Sequence, residues 1–116
     1  MDFQVEMQKT LKRFPSLEGL VFVDPDGESI MHEGGGDENF QLLLAGAKMP
    51  ILMGNFQVLE AGDPTFMEIQ LESRFVIAIR LDEGYSITAI GNNRGSKGHV
   101  REHLKHMAVK FNREIA

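Results

Sequence analysis

The segment from Glu38 to about Phe56 constrains this chain most, because as a helix it is apolar nearly all round. Stepped at about 100° per residue, Phe40, Leu43, Leu44, Ala47 and Ile51 fall on one side. Leu42, Ala45, Gly46, Met49 and Met53 fall on the other. Only Gln41, Lys48 and Asn55 keep a polar line between them. A helix with one apolar face needs one cover; a helix with two needs two. With 116 residues the chain has room for a single domain, 1–116. One cover is therefore the chain's own sheet, and the other is a second copy. Phe40, Leu44 and Ile51 are assigned to the sheet. Leu42, Ala45, Gly46, Met49 and Met53 are assigned to the copy, with Ala45 and Gly46 small enough for close approach. On this assignment Met49→Asp breaks the dimer and spares the fold. Pro50 lacks the N–H a helix needs and costs ~3 kcal/mol in its interior, which predicts a kink or break after Lys48.

The flanking sequence supplies the sheet. Phe3, Met7, Leu11 and Phe14 form one stripe of a helix over 2–14 that Pro15 ends. Leu17 to Asp24 is apolar on both parities, the pattern of a strand covered on both faces. Asp24-Pro25-Asp26-Gly27 is a turn signal, and Glu28 to His32 returns as a second strand. Gly34-Gly35-Gly36 interrupts, with Asp37 as the N-cap of the middle helix. Thr65 to Glu72, Arg74 to Leu81 and Tyr85 to Ile90 alternate and are joined by short turns, as in a meander. Ser96 to Ile115 closes the chain as a helix on Val100, Leu104, Met107, Ala108, Phe111 and Ile115. The fold class is α+β, in the order α-β-β-α-β-β-β-α, with five mainly antiparallel strands whose two faces the three helices can cover. The strand Thr65 to Glu72 is expected at a sheet edge, where Phe66, Glu68 and Gln70 meet the second copy.

Charge and composition narrow the function. The net charge is −5, and the basic residues Arg94, Lys97, Arg101, Lys105, Lys110 and Arg113 are interrupted by Glu102 and Glu114. That reads as a solvated helix face, not the basic patch that displaces counterions from nucleic acid. There is no cysteine, so no disulfide, thiolate metal site or cysteine nucleophile forms. Met1-Asp2-Phe3-Gln4-Val5-Glu6 lacks the basic and then apolar order of an export signal, and no apolar run approaches the ~18 residues of a membrane span. A cytoplasmic protein with no membrane insertion is expected.

Three motifs invite a chemical reading. His99-Val100-Arg101-Glu102-His103 matches H-x-x-E-H, which sets two imidazoles one helical turn apart for a metal, with Glu102 as base. A zinc enzyme needs a further acidic ligand from a separate element, and Glu114 lies on the same helix. Gly91 to Gly98 is glycine-rich and enters a helix, as a phosphate cradle does, yet it matches neither phosphate-binding spacing. Asp24, Asp26 and Glu28 fall short of a calcium loop. No catalytic residue, cofactor or metal ligand is assigned.

The order of elements, with Leu20-Val21-Phe22-Val23-Asp24 before Asp26-Gly27, the strand Arg74-Phe75-Val76-Ile77-Ala78-Ile79 and the helix start Gly98-His99-Val100-Arg101, resembles the roadblock/LC7 family over nearly the whole chain. The resemblance implies a profilin-like or longin-like sandwich, with one helix on one face of the five-stranded sheet and two on the other, that pairs through the middle helix and the neighbouring edge strand. It also implies a non-enzymatic homodimer that binds and regulates a Ras-like small GTPase, with GTPase activation among the roles found in the family. Gln41, Lys48 and Asn55 from each copy would then face that partner. Arg74, Arg80 and Arg94 are candidates for an arginine finger, with none singled out. A structural adaptor without effect on hydrolysis, and a small-ligand sensor, remain as other readings.

Overall fold

In the computed structural model, which describes residues 1–36 and 39–115, Asp2 caps the first helix by accepting from the Val5 amide at 3.2 Å. Helix α1 (Phe3–Arg13) ends before Pro15. Strands β1 (Leu17–Val23) and β2 (Ser29–Gly34) form the expected hairpin. Asp24 Oδ1 accepts from the Asp26 and Glu28 amides at 2.9 and 3.0 Å, and Gly27 takes φ 85°. That carboxylate is occupied in shaping the turn. Helix α2 (Asn39–Gly54) runs into a 3-10 turn, Asn55–Leu59. Strands β3 (Phe66–Gln70), β4 (Arg74–Arg80) and β5 (Ser86–Asn92) precede helix α3 (Lys97–Ile115). The expected cap Asp37 lies outside the described residues.

The sheet order is β2-β1-β5-β4-β3, and every neighbouring pair is antiparallel. Strand β3 is an edge, as expected. The alternation of the inner strands decides which helix covers which face. Leu20, Phe22, Phe75, Ile77, Ile79, Ile87 and Ala89 point to one side, where Met7 of α1 and Val100, Leu104, Met107 and Phe111 of α3 close the larger core. Val21, Val23, Val76 and Ala78 point to the other, under α2. The α+β sandwich of one helix, five strands and two helices is therefore in place.

The two sides of α2 are reversed from the expectation. Leu42, Met49 and Met53 are the buried residues, packed on Val21, Val23, Val76 and Ala78. Ala45 is half-buried against the same cluster. Gly46 serves the chain's own sheet and not a second helix: a Cβ there would lie 2.7 Å from Val21 Cγ1. Phe40, Leu44 and Ile51, assigned to the sheet, are 71, 44 and 62% exposed. A helix apolar on both sides gives its period no means of telling inside from outside. Fit decides, because the glycine and the flexible methionines seat against branched strand residues where Phe40 and Ile51 would not.

The break expected near Pro50 does not occur: the residue lies inside α2, which runs on to Gly54. Burial of Met49 and Met53 on either side of it, at roughly 1.5–3 kcal/mol each, offsets the ~3 kcal/mol that an interior proline costs. The segment Phe40–Leu59, with a mean hydropathy of 1.4, is long and apolar enough by length and composition to cross a membrane. This corrects the expectation that no apolar run reaches such a length. The same composition arises in a helix covered on two sides, and one of those sides here is the sheet.

Candidate interaction surface

The outer side of α2 carries most of the large exposed apolar residues of the described chain, together with the turn that follows it. Phe40, Leu44, Ile51 and Leu52 stand on it, and Phe56, Val58 and Leu59 continue it into the 3-10 turn, each between 41 and 80% exposed. Single exposed apolar side chains are ordinary; this many in one stretch form an apolar surface of the kind that mediates association. Gln41, Lys48 and Asn55 are exposed on the same side. Gln41 is tied down, accepting from Arg74 Nη1 at 3.1 Å.

Strand β3 borders this surface: Met67 and Ile69 pack toward α2, and the alternate side chains turn the opposite way. Phe66, Glu68 and Gln70 face α3, where three cations hold them in turn. Lys97 donates to Gln70, Arg101 forks onto both oxygens of Glu68 at 2.9 and 3.0 Å, and Lys105 lies 5.4 Å from the Phe66 ring centre. The spacing is geometrical: four helical residues rise about 6 Å and two strand residues about 6.6 Å, so the rungs keep step. Lys97, Arg101 and Lys105 are thus a clamp on the edge strand, where the sequence suggested only a solvated face. What β3 leaves open is its backbone. The Arg80 amide donates to the Thr65 carbonyl at 3.0 Å, and the Leu71 amide to the Arg74 carbonyl at 2.8 Å. Bonded pairs alternate in an antiparallel ladder, so 65, 67, 69 and 71 bond to β4. Phe66, Glu68 and Gln70 therefore aim their N–H and C=O groups out of the sheet.

Most of the other candidate residues have structural duties. Ser96 caps α3, its hydroxyl accepting from the His99 amide at 3.3 Å and its carbonyl from the Val100 amide at 3.2 Å. The glycine-rich approach is therefore a capped turn. Arg74 pairs with Glu18 at 3.0 Å, and Arg80 lies 3.6 Å from Asp63; Arg94 is exposed. Among the described residues no three His, Asp or Glu side chains gather as a metal site requires. A cavity of about 40 Å³ beside Glu18, Gly19, Leu42 and Arg74 has room for no more than ordered water.

Within the H-x-x-E-H segment, His103 joins two helices. Thr10 Oγ1 gives its proton to the Glu6 carbonyl at 2.9 Å, so the His103 ring donates Nε2–H to that oxygen at 3.0 Å. Its edge meets Phe14, with ring centres 5.1 Å apart. Burial, followed by the charges of Arg13 and Lys110, lowers its pKa from the ordinary value, with Glu6 opposing. Because the folded form favours the neutral ring, the unfolded chain binds the proton more readily. The stabilisation is complete above about pH 6.5 and is lost as pH falls through the lower folded value. His103→Gln, which keeps a donor for Thr10, is expected to lose less stability than the parent between pH 7.5 and 5 in urea unfolding. Equal losses would show that this ring is not a source of acid sensitivity.

A five-stranded antiparallel sheet between one helix and two, with an apolar middle helix beside an open edge strand, is the fold of roadblock/LC7 domains. MglB of Myxococcus xanthus superposes with a TM-score of 0.81 at 16% identity, over 97% of this chain and 94% of that one. Gliding protein MglB of Thermus thermophilus gives 0.80 at 14% identity, over 98 and 90%. A roadblock/LC7 domain of Streptomyces avermitilis gives 0.78 at 16% identity, over 99 and 98%. No family model and no curated protein matches the sequence.

Proposed function

We propose that the chain is a homodimeric, non-enzymatic scaffold that binds and regulates a Ras-like small GTPase. The observation that carries this reading is the outer side of α2, a broad apolar surface beside which no catalytic constellation stands among the described residues. Such a surface recruits proteins. Two copies of α2 brought together bury much of Phe40, Leu44, Ile51 and Leu52, and leave Gln41, Lys48 and Asn55 at the rim of a composite face. The fold likeness to MglB and to roadblock/LC7 domains supports the same class of partner, as the sequence resemblance implied. A regulator of this kind acts by holding mobile switch loops in one arrangement, which calls for a rigid face and not a pocket.

The test is binding to Ras-like GTPases from the same genome, each loaded with GDP or a non-hydrolysable GTP analogue. Nucleotide-dependent binding is expected, weakened about tenfold or more by Lys48→Glu, which replaces an exposed rim cation, while the dimer mass stays unchanged. Absence of binding in both nucleotide states contradicts the reading. Binding with an unaltered hydrolysis rate makes the protein an adaptor.

A further inference from the structure

The clamp on β3 has a consequence for how two copies meet, and it rests on the proposal that they associate. The outward backbone groups of Phe66, Glu68 and Gln70 are spaced to bond a second antiparallel strand. If that strand is β3 of a second copy related by a two-fold axis, residue i faces a residue whose number sums with i to a constant. Only one register engages all three outward residues at once. It pairs Phe66 with Gln70 of the other copy, and Glu68 with itself.

On the α2 side this register sets Met67 against Ile69 of the other copy, an apolar rung that helps pairing. On the α3 side it sets two Glu68 carboxylates across the axis, with Cα atoms about 5.5 Å apart. Like charges directly opposite oppose pairing. The bidentate Arg101 fork neutralises Glu68 before the strands meet. We infer that Arg101 is the positioning residue that makes β3 competent to pair with a second copy, in a register centred on Glu68.

A charge-exchange series with a cysteine scan tests this on the full chain. By sedimentation, Arg101→Gln is expected to weaken the wild-type dimer about tenfold or more. Glu68→Gln should dimerise at least as well as wild type, and the double variant should recover to within about threefold of it. Circular dichroism on each variant separates a loss of pairing from a loss of fold. Since the chain has no cysteine, Glu68→Cys is expected to form a disulfide-linked dimer on mild oxidation, its separation suiting such a bond. Phe66→Cys and Gln70→Cys should not, because each lies about 13 Å from its own copy in this register. A wild-type chain that stays monomeric overturns the association itself. A wild-type dimer that Arg101→Gln leaves intact, or that Glu68→Gln weakens equally, overturns the role of Arg101 alone. Cross-linking through Phe66→Cys or Gln70→Cys instead of Glu68→Cys overturns the register.

Discussion

Met49→Asp is expected to unfold the chain, not to release a folded monomer. Met49 is 3% exposed within one chain and packs with Met53, Val76 and Ala78. Truncating a buried methionine costs about 2–5 kcal/mol, and burying a carboxylate with no partner adds several more. The sum rivals the roughly 5–15 kcal/mol that holds a domain together. Circular dichroism should show loss of the cooperative transition at 25 °C. Met49→Leu, which conserves volume, should cost less than about 1.5 kcal/mol. A cooperatively folded Met49→Asp protein would return Met49 to the outer side of the helix.

Ile51→Asp should do the reverse. Ile51 is 62% exposed in the single chain, so the substitution is expected to change fold stability by no more than about 0.5 kcal/mol. In the proposed dimer each copy would lose roughly 1.5–3 kcal/mol of apolar burial, counted twice by symmetry. Association should weaken by at least about a hundredfold, since each 1.4 kcal/mol is a factor of ten. Urea unfolding read at low concentration, beside sedimentation at high concentration, separates the two effects. A dimer undiminished by Ile51→Asp would remove the outer side of α2 from the interface.

These opposite expectations follow from the element where the sequence misled most. Strand positions were legible because alternation has a period of two, and β1 and β4 are apolar on both parities, so a helix layer on each face was required. The edge position of β3 was implied by the family resemblance, since alternation tells which faces are covered and not which strands are neighbours. Helix α2 was legible as a helix needing two covers, but not in its orientation. The relevant signal was Gly46: in a helix laid on a sheet, the residue without a Cβ marks the line of closest approach, here to Val21. With Gly46 inward, Leu42, Met49 and Met53 go inward with it. The clamp of Lys97, Arg101 and Lys105 on Gln70, Glu68 and Phe66 was written in matched spacings four apart and two apart. Those spacings acquire meaning only once tertiary structure sets α3 alongside β3.

Two copies meeting along the outer side of α2 and the open edge of β3 should leave a direct mark on backbone exchange. Residue-resolved amide exchange of the wild-type chain, followed from about 1 to 200 µM so as to cross a micromolar dissociation constant, reads that mark. The amides of Phe66, Glu68 and Gln70 point out of the isolated sheet and exchange freely there, whereas Met67 and Ile69 are already bonded to β4. Protection of the three outward amides is predicted to rise with concentration in step with the dimer fraction. Continued free exchange of those amides in a sample that sedimentation shows to be dimeric would contradict pairing along β3.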